Sequence, residues 1–188
     1  MSYVQRRRFS WALFLAGLVL IALVANATTL VRLPFYKLVE RSSAIARVRC
    51  LTADTRLENG EVWTDTVFAV LQHDKGYLPS HIVVRTPGGR FEHLRSHVDG
   101  VPEFRPGEEL FLFLTGHPGA QFRIVGWTQG TFRIRKNQQT GRETVTQDSA
   151  DVPVFDPQEN KFTKTGIKDL RVDVFLDKMN KEISRQTL

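Results

Sequence analysis

The stretch that decides the fold runs from Ile82 to Leu114. It reads I-V-V-R-T-P-G-G at 82–89, a polar segment to Gly100, then V-P-E-F-R-P-G-E-E-L-F-L-F-L at 101–114. Two short apolar runs flank a long connection punctuated by Gly and Pro, the pattern of two buried strands joined by a substantial loop. Leu110 to Leu114 is apolar at every position. Both faces of that strand therefore need cover, one from a barrel interior and the other from a helix or loop. A loop as long as residues 90–108 is uncommon in a compact domain unless it covers or binds something.

Before this stretch, Pro34 suits the first turn of a helix to about Glu40, with Phe35, Leu38 and Val39 on one face. Ala44 to Ala53 reads as a first strand. Glu58-Asn59-Gly60-Glu61 reads as a tight hairpin turn, because Asn-Gly accepts positive φ. Val62 to Leu71 is a second strand, with Thr66, Phe68 and Val70 sharing a face, and His81 to Thr86 is a third. After it, Phe122 to Val125 and Gly130 to Arg135 are two more strands, and Gly126 and Gly130 mark bulges or bends of the kind a small barrel needs to close.

Composition turns polar after Arg135. Asn137 to Arg142 is a hairpin tip, Thr144 to Gln147 reads as an edge strand, and the chain to Thr165 reads as surface-running. From Lys168 the pattern is helical, with Val172, Leu176, Met179 and Ile183 in one stripe. Such a stripe must be buried on something, and the barrel itself is the preferred surface over a partner chain.

Residues 1–27 have the features of a targeting leader. Arg6–Arg8 are followed by an apolar run from Trp11 to Val24, and Ala25-Asn26-Ala27 forms an A-x-A signal. Two outcomes are open: a signal peptide cleaved before Thr28, or retention as a single N-terminal membrane anchor. Positive-inside orientation puts the remainder outside the cytoplasm in the second case too. The domain plan is a leader at 1–27, a barrel domain with its leading helix at 28–135, and a polar segment with a C-terminal helix at 136–188.

The chain has 188 residues, enough for one domain with a real core, and a net charge of +6. Arg6–Arg8 supply three of those charges, and the rest of the chain balances 23 basic against 20 acidic residues. So mild an excess, together with export, argues against a nucleic-acid partner, although Phe122, Arg123, Phe132, Arg133 and Arg135 interleave aromatics with basic groups. Cys50 is the only cysteine. No intrachain disulfide is possible, and a strand position between Arg49 and Leu51 makes it a core residue rather than a nucleophile.

Five or six short strands with a covering helix predict a mainly β fold, a small OB-like Greek-key barrel with an N-terminal and a C-terminal helix. P-G-G at 87–89, V-P-E-F-R-P-G-E-E at 101–109, L-F-L-F-L at 110–114 and F-R-I-V-G-W-T-Q-G-T-F-R-I at 122–134 resemble a family of exported bacterial proteins of unknown function. The resemblance covers roughly residues 38–135. That family tends to have Gly in the first strand where this chain has Val48, so the bend that the resemblance implies there is not carried over. More distantly, the layout is similar to the netrin-like OB folds of tissue metalloprotease inhibitors. Their N-terminal Cys-x-Cys zinc-chelating motif has no counterpart here, so their inhibitory mechanism is not carried over either.

No G-x-S-x-G, H-E-x-x-H, Walker-type or dinucleotide motif occurs, so no catalytic residue and no cofactor are expected. His93 and His97, four apart in E-H-L-R-S-H-V-D, are the only metal-ligand candidates. The segment lacks the Glu that follows the first His in zinc proteases and reads as loop, so no metal site is expected. Three classes of function stay open: an extracytoplasmic binding module, an envelope hydrolase, and an accessory subunit docked through the C-terminal helix. The first is the expectation, with a protein or envelope component as partner. Its contact residues are Arg90, His93, Arg95 and His97 in the long loop, and Trp127 and Gln129 in the adjacent turn.

Overall fold

The computed structural model describes residues 30–186. The leader predicted over residues 1–27 lies outside the described residues. A short helix, α1 (Phe35–Arg41), precedes a mainly β body and a longer helix, α2 (Val172–Gln186), closes the chain. Between them run β1 (Ala44–Glu58), β2 (Glu61–Lys75), β3 (His81–Pro87), β4 (Gly89–Phe91), β5 (Leu94–Ser96), β6 (Glu109–Thr115), β7 (Arg123–Ile124), β8 (Thr131–Lys136), β9 (Glu143–Gln147), β10 (Val154–Asp156), β11 (Lys161–Thr163) and β12 (Leu170–Arg171).

β1 lies antiparallel between β2 and β6, and β3 flanks β2. The barrel closes where Phe122 bridges Val84 in parallel. The Phe122 N–H donates to Val83 O at 3.0 Å, and the Arg85 N–H donates to Phe122 O at 3.3 Å. β7, directly after Phe122, pairs with the end of β6. The circuit β1–β2–β3–β7–β6–β1 is the OB-like order, with its single parallel closure. Asn59 and Gly60 both take positive φ at the β1–β2 turn, as the Asn-Gly reading requires. Strands β1 and β2 are each longer than the sequence suggests, 15 residues apiece. The register of β1 against β2 shifts between Ile45 and Ala46, between Arg47 and Val48, and between Cys50 and Thr52. Bulges therefore curve this strand without a glycine at position 48.

Strand β6 organises the interior. Leu110, Leu112 and Leu114 face the barrel with Ala46, Val48, Phe68, Val84 and Ile124. Phe111 and Phe113 face the other way, into a second cluster with Leu38, Val39, Phe132, Phe175 and Met179. The Phe35 ring stands edge-on to Phe113, Phe132 and Phe175 at centroid distances of 5.7, 6.1 and 5.8 Å, the geometry that favours aromatic pairs. The two helices thus cover the outer face of β6. Phe175 and Met179 are fully buried, while Val172, Leu176 and Ile183 flank them. The predicted stripe is real, but Phe175 is its centre.

Three readings change with the tertiary structure. Residues 90–108 are not a plain loop, because they contain the β4–β5 hairpin. The strand at 143–147 is not an edge, because Leu170 and Arg171 of β12 pair with it on the side away from β8. The same pairing delays the helix from Lys168 to Val172, since Leu170 and Arg171 are held extended. The segment expected to run over the surface forms the β10–β11 hairpin. It buries Val154 and Asp156, and the Arg32 guanidinium donates to the Asp156 carboxylate.

On the outer face, Arg47 joins Glu109 of β6 to Glu143 of β9, at 2.6 and 3.0 Å. Arg49 and Arg47 hold the Glu109 carboxyl below its ordinary 4.5. The unfolded chain therefore takes up this proton at a higher pH than the folded one. The contribution of Glu109 to stability is complete above that value and is lost as the pH falls through the folded-state pKa. Glu109→Gln should consequently flatten the loss of stability between about pH 6 and about pH 3, as read by urea unfolding. A curve parallel to that of the native chain would contradict the assignment. Phe175→Ala should cost about 3–5 kcal/mol, the range for removing a buried aromatic ring. An unchanged melting temperature would mean that α2 does not seal the outer face of β6.

Candidate functional site

The barrel interior changes character toward one end. On the inner face of β2, Phe68 is followed by Thr66 and then Thr64. Thr64 lies in register between Thr55 of β1 and Thr86 of β3. A row of three threonines therefore crosses the barrel mouth, with Thr66 one step deeper. The Thr64 hydroxyl donates to Gly88 O at 2.7 Å. With its proton so engaged, it accepts from Thr55 Oγ1 at 3.0 Å. Thr66 is 0% exposed, and its Oγ1 has no hydrogen-bond partner among the described residues. A buried hydroxyl left in this state costs about 1–3 kcal/mol unless something satisfies it.

Residues 87–104 run along this mouth and border an open cavity of ≈ 420 Å³. Thr64, Thr66, Thr86, Arg90, Arg95 and Phe104 are among the groups that line it. This roof segment is fastened along its length. The Gly88 N–H donates to Val62 O at 2.7 Å, and Gly100 O accepts from the Thr128 N–H at 3.1 Å. Glu103 O accepts from Arg133 at 2.7 Å. Phe104 is buried edge-on to Phe68, 5.0 Å between centroids. Arg133 itself is held by Asp148 and Glu108 at 2.7 and 2.6 Å. Burial raises the Asp148 carboxyl above its ordinary range against the pull of Arg133.

Two roof glycines, Gly89 and Gly100, take positive φ, +129° and +81°, beside close neighbours. At Gly89 a Cβ would sit 2.4 Å from Thr64 Oγ1. At Gly100 a Cβ would sit 2.1 Å from Leu30 Cδ1. The Leu30 side chain therefore lies beside Gly100.

The cavity brings together Arg90, Arg95 and His97 of the sequence-predicted contact residues. Arg90 and Arg95 are exposed, and they are direct cross-strand partners in the β4–β5 hairpin. His97 lies 3.3 Å from the Asp99 carboxylate. The other three residues are elsewhere. His93 stands at the hairpin turn with its side chain 84% exposed, beside Glu92, and does not line the cavity. No group of three His, Cys, Asp or Glu side chains suited to a metal forms among the described residues. Trp127 opens the 3-10 turn Trp127–Gly130 and is not among the residues that line the cavity.

Gln129 is not available as a contact residue. It is 3% exposed, and the backbone consumes its amide. Its Oε1 accepts from the Leu33 N–H at 2.7 Å, and its Nε2 donates to Val31 O at 2.9 Å. It is a clamp on the N-terminal segment. Cys50 lies in the barrel core, and burial pushes its thiol up.

The threonine row escaped the sequence reading, although one signal existed. Thr66 shares a face with Phe68 and Val70, so a hydroxyl stands in an otherwise apolar register. The depth at which it meets the roof is set by chain segments far away in sequence.

No protein-family model, no curated protein and no solved structure matches the chain. Gln129→Leu should destabilise the protein by about 1–3 kcal/mol for each backbone group left unpaired and should speed hydrogen exchange at the Leu33 amide. Unchanged protection of that amide would show that the segment is held by other means.

Proposed function

We propose that the protein is an extracytoplasmic, non-enzymatic binding module of the cell envelope, and that its contact surface is the roofed barrel mouth. The observation that carries this reading is the cavity beneath a roof fastened at Gly88, Gly100, Glu103 and Phe104. A surface held in place before the ligand arrives loses less entropy on binding. Arg6–Arg8, the apolar run after them and Ala25-Asn26-Ala27 support export.

The chemistry around the cavity supports binding over turnover. Thr64 donates to a carbonyl, and His97 faces Asp99. No cavity hydroxyl is hydrogen-bonded to an imidazole among the described residues. The stripe of α2 packs on its own barrel, which withdraws the feature that would favour a subunit docked through that helix. No helix among the described residues is long and apolar enough to cross a membrane.

The test uses a fluorophore next in sequence to the cavity-lining Arg95. Leu94, which is 40% exposed, is replaced by cysteine in a Cys50→Ala background, labelled, and titrated with separated lipid, glycan and protein fractions of the envelope. A saturable signal from one fraction, competed by unlabelled protein and with the bound compound recovered chemically unchanged, is expected. A compound recovered cleaved would replace this reading with the hydrolase, and no saturable response from any fraction would end it.

A further inference from the structure

This inference rests on the binding reading and concerns the chemical class of the ligand. Arg90 and Arg95 stand directly opposite each other across the β4–β5 hairpin. Like charges in that arrangement repel. Neither guanidinium has a hydrogen bond or an ion pair among the described residues. Elsewhere in the fold, adjacent arginines share a carboxylate: Arg47 and Arg49 share Glu109, and Arg56 and Arg85 share Asp65. Between Arg90 and Arg95 no such acid is supplied by the described chain.

Both arginines line the cavity that has the unpartnered Thr66 hydroxyl at its floor. Thr86 and Ser96 add hydroxyls to the wall, and Glu103 is the acidic side chain that lines it. Its exposed rim position sets one negative charge against two guanidiniums.

We infer that this cavity is an oxyanion site, which takes a phosphate or carboxylate group carried on a small polar body. The anion supplies the charge missing between Arg90 and Arg95, and its hydrogen-bonding oxygens satisfy the wall hydroxyls. Guanidiniums suit this role because their planar donor forks match carboxylate and phosphate oxygens. At ≈ 420 Å³ the space is within the range of small-molecule pockets, about 300–1,000 Å³.

The experiment is calorimetric titration of the protein purified from its producing cell with glycerol 3-phosphate, inorganic phosphate and glucuronate, each set against its uncharged counterpart, glycerol or glucose, where one exists. Glycerol 3-phosphate or glucuronate should bind at least about tenfold more tightly than its counterpart, and more weakly as salt is raised. Binding of inorganic phosphate as tightly as glycerol 3-phosphate would locate recognition in the free anion and overturn the part of the proposal that assigns a carrier body. Arg90→Ser with Arg95→Ser should weaken binding about tenfold or more. Ser96→Ala should weaken it without lowering the melting temperature, because Ser96 lines the cavity, is partly exposed, and its hydroxyl is a donor the anion can reach. That readout separates a ligand-facing hydroxyl from a structural one.

Equal binding of charged and uncharged probes, failure of every charged probe to bind at about millimolar concentration, or an unaffected double arginine variant would overturn the inference. A saturable response at position 94 to an uncharged envelope fraction would leave the binding reading standing and end this one.

Discussion

The structure depends on the need to cover both faces of β6. Leu110, Leu112 and Leu114 have no place except a barrel interior, and Phe111 and Phe113 have none except under another layer. Burying a side chain of this size stabilises by about 1.5–3 kcal/mol, so neither face can be left in water. The inner face calls for the closed circuit through β1, β2, β3 and β7. The outer face calls for α1 and α2, whose Phe35 and Phe175 meet Phe111, Phe113 and Phe132 in one aromatic cluster. The strand extension through β8, β9 and β12 follows from the same demand, because it brings Phe132 and Val145 beneath α2.

The candidate site lies where the hydrocarbon of the barrel runs out. Below Phe68 and Phe104 the interior is apolar, and above them it is lined by threonine hydroxyls. A mouth of this kind can hold a polar ligand if its roof stays in place. Here the roof is tied to three distant parts of the chain. Val62 receives its beginning and Arg133 holds its later part, while Thr128 and Leu30 meet at Gly100. The N-terminal segment is in turn clamped by Gln129, and Arg32 binds Asp156 of β10.

The sequence by itself determined the mainly β class, the two helices, the Asn59-Gly60 hairpin and the two-faced character of β6. Each of these is encoded locally, in a run of alternating or uniform apolarity or in a residue pair with a restricted backbone. It also determined that Cys50 would be buried. Only the tertiary structure decided that Thr144–Gln147 is an interior strand and that the helix begins at Val172. Both follow from the pairing of Leu170 and Arg171 with a strand more than twenty residues earlier. It also moved Gln129 from contact surface to internal clamp, because the backbone groups it satisfies lie almost a hundred residues away. The threonine row and the opposed arginines are matters of register between strands, and register is set by the closure of the whole barrel rather than by the residues that end up facing one another.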